Sequence, residues 1–414
     1  MVLRYTLSLK NIGVDIVSEF NLTDEQQSLI PKLKDWYNNF SSSGKKWFSL
    51  SGAAGTGKTT VIRYFIEDMG FKLTDIICAA YVGKAVTVLA AHGLPARTIH
   101  SLIYNMVWKN VYDGHGNIVL DQNGMPKLGR SFELKERLDW EYKLIVIDEA
   151  SMVNDDLRDD ILSFGVPVIF IGDMHQLPPI FGKSSVMMHP DFVLTKIMRQ
   201  AEDNPIIYLS QGVLHGRALT PGQYGTSKII TQLPLDESLL TDYDIILTAK
   251  NSTREMFNNF IRFQLLKAPS IRPSIGDKII CRQNNWNIDL GKGFFLTNGS
   301  AGVIEDIYRQ SINENSCKID FLPDVTGEVK QSIDLDYKYI QLPYLDRKLY
   351  GISRFNKFEY GYAITTHLSQ GSQYPRVLFI DEFFHSVEDT RAMRYTAITR
   401  AMYDLTIVVA GPKH

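Results

Sequence analysis

A glycine-rich segment near the N-terminus carries the clearest chemical pattern of the sequence. Residues 52–59 read Gly-Ala-Ala-Gly-Thr-Gly-Lys-Thr and match G-x-x-x-x-G-K-[ST] at every fixed position. Glycines let the backbone close around an anion, and the N–H groups at the start of the following helix bind phosphate. Lys58 would reach the β- and γ-phosphates of a nucleotide, and Thr59 would bind Mg²⁺. This phosphate-binding loop (P-loop) therefore predicts a site for ATP and Mg²⁺.

Two adjacent carboxylates supply a second part of such a site. Asp148 and Glu149 follow the apolar run 144–147, which is typical of a buried strand. Asp148 would hold Mg²⁺, usually through water, and Glu149 would orient or deprotonate the attacking water. Taken alone, the pair could equally be a solvated acidic turn. The P-loop upstream favours the catalytic interpretation.

A third polar segment follows another apolar run. Residues 172–179 read Gly-Asp-Met-His-Gln-Leu-Pro-Pro. The Gln176 amide could hydrogen-bond the γ-phosphate and register its loss after hydrolysis. The alternative is a proline-rich loop without a role in catalysis.

The elements that would position these residues alternate between strands and helices. Short apolar runs that read as buried parallel strands occupy residues 47–51, 75–81, 143–147 and 167–171. Helical patterns separate them, such as the one that begins after Lys58 and stops at Gly70. This alternation predicts a doubly wound α/β sheet. A second α/β pattern begins near Arg199, with strand-like runs at 244–248, 361–366 and 377–380.

Two segments depart from the alternation. Residues 106–112 and 118–120 read as strands joined by a turn at 113–117, which predicts an inserted β-hairpin. A surface excursion without function is the alternative reading. Farther along, short strands alternate with Gly and Asn turns, which predicts a small inserted β-barrel. The predicted strands of this barrel are 276–282, 302–307, 317–321 and 328–333.

The bulk composition limits the class of protein. A chain of 414 residues is too long for one ordinary core, and 44% hydrophobic with 22% charged residues argues against disorder. The formal net charge is −2, so a polyanionic partner would have to be met by a local groove. Cys78, Cys281 and Cys317 show no C-x-x-C spacing, which favours a reducing compartment. No run of about 20 apolar residues predicts a membrane helix, so we expect a cytoplasmic protein.

Together these motifs resemble those of the superfamily 1 helicases. They look most like the 5′-to-3′ branch that contains the RecD-type and phage Dda-type enzymes. The resemblance runs from about Asn21 to Ala401. Further motif-like segments are Leu-Thr-Asp-Glu-Gln at 22–26, Ala-Tyr-Val-Gly-Lys-Ala at 80–85, Ala-Arg-Thr-Ile-His-Ser-Leu at 96–102, Met-Arg-Gln at 198–200, Tyr-Ala-Ile-Thr-x-His-x-Ser-Gln-Gly-Ser at 362–372 and Tyr-Thr-Ala-Ile-Thr-Arg-Ala at 395–401.

The resemblance implies an α/β fold of two RecA-like P-loop domains, with an inserted β-hairpin and an inserted SH3-like β-barrel. ATP would lie in the cleft between the two domains. The expected boundaries are 1–104 with 131–197 for the first domain, 105–130 for the hairpin, 198–271 with 356–414 for the second domain and 272–355 for the barrel. The implied function is an ATP-dependent DNA helicase that moves 5′-to-3′ on single-stranded DNA and unwinds duplex in replication, recombination or repair. The implied partners are single-stranded DNA, junctions with duplex, and replication or recombination proteins, with a monomer as the acting form.

The resemblance also assigns roles to single residues. For catalysis they are Lys58, Glu149, Gln176, Arg199 and Arg400. The two arginines would reach the γ-phosphate from the second domain, although read singly each could be a surface ion-pair residue. Nucleotide-binding residues would be Gln26 on adenine, Gly52, Ala53, Ala54, Gly55, Thr56, Gly57, Lys58, Thr59 and Thr60 of the loop, and Asp148, Gln370 and Gly371. Thr59 and Asp148 would bind Mg²⁺.

Contacts to the DNA strand are implied at several positions. The candidates are Thr98, His100, Asn251, Thr365 and His367 as polar contacts, Trp286 as a stacking platform and Trp108 in the hairpin as a wedge. Tyr112 or His115 could present the wedge instead. For Trp286 taken alone, a core position is favoured over a stacking platform. Val82 and Leu368 stand where the family usually has Thr and Lys, so neither is expected to be a polar contact.

Three other functions compete with this interpretation. A nuclease–helicase would need a nuclease cluster, and no D-x-x-E-x-K pattern is present. A nucleotide-dependent clamp without hydrolysis would not need Lys58, Glu149 and Arg400 together. A small-molecule kinase or other P-loop enzyme would not need a second α/β half with its own motifs.

Overall fold

The computed structural model describes residues 22–110, 112, 117–120, 124–126, 128–178, 184–197, 203–291, 294–308, 316–350, 353 and 355–409. Within these residues the chain forms two six-stranded sheets, one five-stranded sheet and two two-stranded sheets. None of the helices in these ranges combines the length and apolar character that a membrane span requires.

The first α/β unit contains a parallel sheet with helices packed against it. Its strands are β1 Trp47–Gly52, β2 Ile76–Ala80, β3 Ala96–Thr98, β6 Leu144–Asp148, β7 Val168–Gly172 and β8 Phe192–Leu194, in the spatial order β3-β2-β6-β7-β1-β8. Its helices are α1 Asp24–Asn38, α2 Phe40–Ser43, α3 Lys58–Asp68, α4 Gly83–Ala91, α5 Ile99–Ile103 and α6 Asp155–Leu162. All pairings in this sheet are parallel, and the four predicted strands are confirmed to within one residue at each end. The apolar side chains of β2 and β7 are buried, as expected for a sheet covered on both faces.

The hairpin differs from its prediction. Strand β4, Tyr104–Asn110, pairs with β5, Leu128–Leu134, from Tyr104↔Leu134 to Asn110↔Leu128. The second strand is therefore β5 and not residues 118–120, which form only isolated bridges. A three-residue apolar run is shorter than an ordinary strand, whereas the sequence of β5 contains Gly129 and no clear alternation. The hairpin consequently extends four residues beyond the predicted limit at 130. His115 lies outside the described residues.

The second α/β unit repeats the layered pattern. Its strands are β9 Gly222–Tyr224, β10 Ser227–Ile230, β11 Ile245–Thr248, β19 Ala363–Thr365, β20 Tyr374–Ile380 and β21 Ala401–Val408, in the order β19-β11-β20-β21-β10-β9. Only β9, paired with β10, runs antiparallel among these described strands. Its helices are α7 Pro205–Leu214, α8 Ser238–Thr241, α9 Asn251–Phe260 and α12 Val387–Ile398. The predicted strands at 244–248 and 377–380 are confirmed as β11 and β20, and the run at 361–366 contains β19.

Between β11 and β19 lies an antiparallel insertion. Its main sheet has the order β17-β16-β15-β12-β18, with β12 Lys278–Cys281, β15 Ala301–Tyr308, β16 Ser316–Pro323, β17 Lys330–Asp336 and β18 Phe358–Tyr360. The smaller elements are β13 Asn285–Gly291, β14 Phe294–Leu296, α10 Tyr337–Gln341 and α11 Tyr344–Leu349. The four predicted strands are confirmed, and β13, β14 and β18 are additional.

Buried ion pairs join this insertion to the second α/β unit. The Arg262 guanidinium, on the π-helical turn after α9, lies 3.0 Å from the Asp277 carboxylate, which also accepts from the Tyr362 hydroxyl at 2.8 Å. Arg254 on α9 pairs with Glu359 on β18. A buried charge without its partner is costly, so these pairs fix the insertion on the unit that carries it.

Candidate nucleotide site and strand channel

The P-loop connects β1 to α3 in the geometry that phosphate binding requires. Gly55 and Gly57 have φ of 80° and 75°, in the left-handed region that glycine adopts without strain. A Cβ on Gly52 would lie 2.6 Å from the Thr56 hydroxyl oxygen. Lys58 begins α3, and its ammonium donates to the Gly52 and Ala53 carbonyls at 2.6 and 3.1 Å. The loop thus holds the Lys58 ammonium on two backbone carbonyls. Charged phosphate oxygens are stronger acceptors than carbonyls, so a bound phosphate would take over these contacts.

Gln26 supports this loop from α1. Its amide oxygen accepts from the Thr23 N–H at 3.0 Å in a capping box, and its amide nitrogen donates to the Thr56 carbonyl at 3.0 Å. The side chain is fully buried. The structure therefore places Gln26 against the P-loop, and its implied contact with adenine stays a prediction.

The acidic pair lies at the end of β6. Asp148 is half-buried, and desolvation first and the Glu149 carboxylate second raise the pKa of Asp148 to about 6. Its carboxylate accepts from the Glu149 N–H at 2.9 Å. Glu149 has φ of 52°, a left-handed conformation that costs a non-glycine residue energy and that occurs preferentially at functional sites. An acid with a raised pKa is stabilised in its charged form by a cation, which fits the predicted Mg²⁺ position.

Two buried polar atoms close to this pair lack hydrogen-bond partners within the described part of the chain. They are the Gln176 amide oxygen and the Ser151 hydroxyl. Leaving such atoms unpaired costs about 1–3 kcal/mol each, so they suit a site where a nucleotide, Mg²⁺ or bound water supplies the partner. Thr59 and Asp148 are the residues that would hold the metal, whose chemistry is to neutralise phosphate charge.

The second α/β unit delivers Arg400 to this site. Arg400 follows α12 and is only 2% exposed. Its guanidinium donates to the Thr396 and Ser372 carbonyls at 3.1 and 3.2 Å and lies 3.9 Å from the Glu149 carboxylate. The alternative of a surface ion pair is therefore wrong for Arg400. Arg199, the other predicted arginine, lies outside the described residues.

Further contacts cross between the two units at the same place. The Gln370 amide donates to the Leu177 carbonyl at 2.7 Å, and the Leu177 N–H donates to the Thr396 hydroxyl at 3.0 Å. At Gly371, a Cβ would lie 2.2 Å from a methyl carbon of Val82. Gln370 and Gly371 thus lie on the joint between the units, and their predicted contact with nucleotide is not tested.

Next to this joint is a cavity of about 310 Å³ that the first unit, the insertion and the second unit line together. Three predicted strand contacts, Thr98, His100 and His367, line it. Val82 and Leu368, the two departures from the family pattern, line it as well. The cavity residues that the sequence did not indicate include amides and aromatics of the turns and the insertion, among them Asn154, Asn284, Asn298, Phe294 and Phe295.

The other predicted strand contacts lie elsewhere. Asn251 begins α9 and donates to the Tyr344 hydroxyl at 3.0 Å, and Thr365 ends β19 before a 3₁₀ turn. Trp108 lies on β4 in the hairpin and is 57% exposed. Trp286 lies on β13, and its side chain is outside what the structure describes. Asn251, Thr365 and Trp108 are not among the described residues that line the cavity.

Charge inside the cavity is sparse. Burial lowers the pKa of both His100 and His367 below the ordinary histidine value, so both are neutral at pH 7. The Lys84 ammonium lies 3.9 Å from the centre of the Tyr374 ring, and its neighbour Asp324 comes from the insertion. Among the described residues that line the cavity, Lys84 is therefore the cation that a phosphate would meet. Lys84 belongs to the motif-like segment at 80–85.

The fold and the site together define a P-loop nucleotide-binding protein in which a second α/β unit faces the nucleotide loop. Residues 24–231, just over half of the chain, match the model of the AAA domain family, and residues 360–408 match the UvrD-like helicase C-terminal domain. The chain therefore belongs to the AAA domain family.

Known relatives agree with this assignment. The chain is 25% identical to the ATP-dependent RecD2 DNA helicase of Deinococcus radiodurans over 409 residues, which cover 92% of this chain and 48% of the relative. It is 29% identical to the ATP-dependent DNA helicase dda of Enterobacteria phage T4 over 187 residues, which cover 42% of this chain and 39% of the relative. The chain thus spans less than half the length of either relative.

One solved structure with a similar extent is the Pif1 helicase from Bacteroides in complex with ADP-AlF3 and ssDNA. It covers 95% of this chain and 92% of its own, with 18% identity and a TM-score of 0.48. A TM-score of 0.48 is too low for this likeness to support the fold, which rests on the sheet order described above.

Proposed function

We propose that the chain is an ATP-dependent DNA helicase that moves 5′-to-3′ along single-stranded DNA and unwinds duplex. One observation carries the proposal: Arg400 of the second α/β unit lies 3.9 Å from Glu149 of the first, at the joint beside a cavity that both units line. The groups proposed for ATP hydrolysis and the cavity proposed to hold the strand therefore lie at the same interface between the two units. We expect this interface to move during hydrolysis. The RecD2 and dda relatives, both named as DNA helicases, favour DNA as the track.

Hydrolysis would take place between the two units. Lys58 and Thr59 would bind the phosphates and Mg²⁺, Asp148 would hold the metal, and Glu149 would orient or deprotonate water. Arg400, together with Arg199, stabilises the charge that spreads over the γ-phosphate. Such arginines contribute roughly 10³- to 10⁵-fold in rate in phosphoryl-transfer enzymes. Gln176 senses the γ-phosphate with its buried amide.

Loss of the γ-phosphate would then release the joint. Arg400 holds the second unit to Glu149, and Gln370 holds it to the loop that carries Gln176. When the phosphate that both groups approach is gone, the attraction across the joint weakens and the units can separate. Opening and closing of the joint changes the cavity next to it, and this is the step that moves the strand.

The strand would be gripped mainly by neutral groups. Thr98, His100 and His367 offer polar contacts, and bases stacked on aromatic side chains such as Phe294 contribute roughly 1–3 kcal/mol each. Val82 and Leu368 add apolar surface in place of polar groups. We assign Asn251 and Thr365 weaker or indirect roles, because neither is among the described residues that line the cavity. Trp286 stays a candidate stacking platform.

The two β insertions would serve the same task. We propose that the antiparallel insertion is an SH3-like barrel that clamps the strand, because Asn298 and Phe294 of this insertion line the cavity. The isolated bridge between Leu335 and Asn356 links the segment before β18 to β17 at the opposite edge of the sheet. The hairpin would act as a pin at the junction with duplex, with exposed Trp108 as the wedge. The protein would act as a monomer.

Unwinding of tailed duplexes tests the proposal. ATP hydrolysis is measured with and without single-stranded DNA, and unwinding is measured on duplexes that carry a 5′ or a 3′ tail. We expect stimulation by the strand and unwinding of the 5′-tailed duplex. A preference for the 3′ tail would refute the polarity, and hydrolysis without stimulation would refute the motor. Removal of the turn at 113–117 should spare stimulated hydrolysis and reduce unwinding, and undiminished unwinding would refute the pin.

A further inference from the structure

Tyr395 on α12 is a fully buried phenol of the second α/β unit that reaches two loops of the first. Its hydroxyl accepts from the Ala54 N–H of the P-loop at 3.0 Å. It donates to the carboxylate of Asp173, in the segment that also carries Gln176. The Tyr395 hydroxyl thus donates its proton to Asp173, and its oxygen accepts the hydrogen bond from the P-loop.

Asp173 is held in turn by its own loop. Its second carboxylate oxygen accepts from the His175 N–H at 3.0 Å, and only 1% of the residue is exposed. One position along α12, the Thr396 hydroxyl accepts from the Leu177 N–H at 3.0 Å. Two consecutive residues of α12 are therefore tied to the loop at 173–177, and one of them is tied to the P-loop as well.

The same helix carries the arginine of the site at its end. Arg400 lies five residues beyond Tyr395, and it is anchored to the Thr396 carbonyl of the last helical turn at 3.1 Å. A hydrogen bond weakens steeply when its distance or angle changes, so movement of the Ala54 backbone is felt at the phenol. Backbone N–H groups of such a loop are also the groups that bind phosphate.

We propose that Tyr395 is a positioning residue that links the P-loop and Asp173 to α12. Through this link, Arg400 is placed against the γ-phosphate only when the P-loop keeps its hydrogen bond to Tyr395. This inference rests on the proposed function, because it gives Arg400 its role in hydrolysis. Tyr395 itself touches no reacting atom. It acts through the helix that bears Arg400.

A double-mutant cycle on ATP hydrolysis by the full chain tests the inference. Tyr395→Phe keeps the ring and removes the hydroxyl, and Arg400→Lys keeps the charge and removes the guanidinium. Loss of a hydrogen bond that involves a charged group corresponds to roughly a ten-fold change in rate. We expect Tyr395→Phe to lower kcat about ten-fold. We expect the KM for ATP to stay within about two-fold, because binding through Lys58 is retained. In the Arg400→Lys background the same change should have little further effect, since residues that act in series are not additive.

The control is Tyr243→Phe, because the Tyr243 hydroxyl donates to the Thr406 hydroxyl at 3.2 Å within the second unit, away from the P-loop. It should leave kcat unchanged. Binding stoichiometry of a fluorescent ADP counts the competent sites, so that a folding defect is not read as slow chemistry. If Tyr395→Phe unfolds, Asp173→Asn keeps the phenol and weakens its acceptor, and it is put through the same cycle.

Independent, multiplicative effects of the two substitutions would overturn the inference, as would a normal kcat for Tyr395→Phe. The cycle is read from hydrolysis without DNA. Absence of strand stimulation in the unaltered chain would therefore refute the motor while the cycle still reports on Tyr395.

Discussion

Gly371 offers a direct test of the joint between the two α/β units. It has φ of 70°, and a Cβ added there would lie 2.2 Å from a methyl carbon of Val82. We predict that Gly371→Ala forces the units apart at this point. Separation of the joint should weaken both stability and ATP hydrolysis, because Arg400 and Glu149 meet only while the units are in contact.

The expected magnitude has two parts. A left-handed conformation costs a residue with a Cβ about 1–2 kcal/mol. Forcing a carbon into a packed contact costs about 1–3 kcal/mol more. Gly70 isolates the first part, because it has φ of 68° and no atom within 4 Å of an added Cβ. Gly70→Ala should therefore lose only the backbone contribution, whereas Gly371→Ala should lose both.

Thermal melting of four variants separates the contributions. At about 2–4 °C per kcal/mol for units of this size, Gly371→Ala should lower the midpoint by roughly 4–20 °C and Gly70→Ala by roughly 2–8 °C. Val82→Ala removes the methyl group that clashes, so the double variant should be less destabilised than the sum of the single changes by about 1–3 kcal/mol. Strictly additive effects, or equal losses at Gly371 and Gly70, would show that Val82 and Gly371 are not in contact and would refute the reasoning.

Three further predictions concern the site and the channel. Lys58→Ala should abolish measurable ATP hydrolysis with an unchanged melting temperature, and retained hydrolysis would remove the P-loop from the chemistry. Because burial lowers the pKa of His100 and His367, the unfolded chain binds more protons than the folded chain just below their ordinary pKa near 6.5. The contribution of the two neutral histidines to stability should thus be complete above that pH and decline as the pH falls. In a variant with both His100→Gln and His367→Gln, the melting temperature should depend less steeply on pH. Leu368→Lys adds a cation to the channel and should steepen the salt dependence of strand binding by roughly one unit of log–log slope, which fluorescence anisotropy at several salt concentrations would measure.

Local motifs were predictable from the sequence because their geometry depends on neighbouring residues. The P-loop needs left-handed glycines at 55 and 57, and only the residues from β1 to α3 take part in its turn. Apolar runs predicted the buried parallel strands for the same reason, since a strand covered on both faces excludes polar side chains. The position of Asp148 at the end of β6 followed directly from such a run.

Other features were decided by residues far apart in the chain. The second strand of the hairpin was mispredicted because pairing with β4, not local alternation, determines β5. The sequence indicated Thr98, His100 and His367 as strand contacts, but it equally indicated Asn251 and Thr365, which are not among the described residues that line the cavity. Sequence spacing gives the order of motifs and not the directions in which their side chains point.

The sequence by itself determined that this protein binds a nucleotide phosphate and has two α/β halves, because short-range sterics and apolar periodicity encode both. The tertiary structure alone decided how the halves meet. Ala54 and Tyr395 are 341 residues apart in the chain, yet the N–H of one donates to the hydroxyl of the other. That hydrogen bond, like the approach of Arg400 to Glu149, exists because packing of the two units brings distant groups within 4 Å, and no local pattern specifies such an approach.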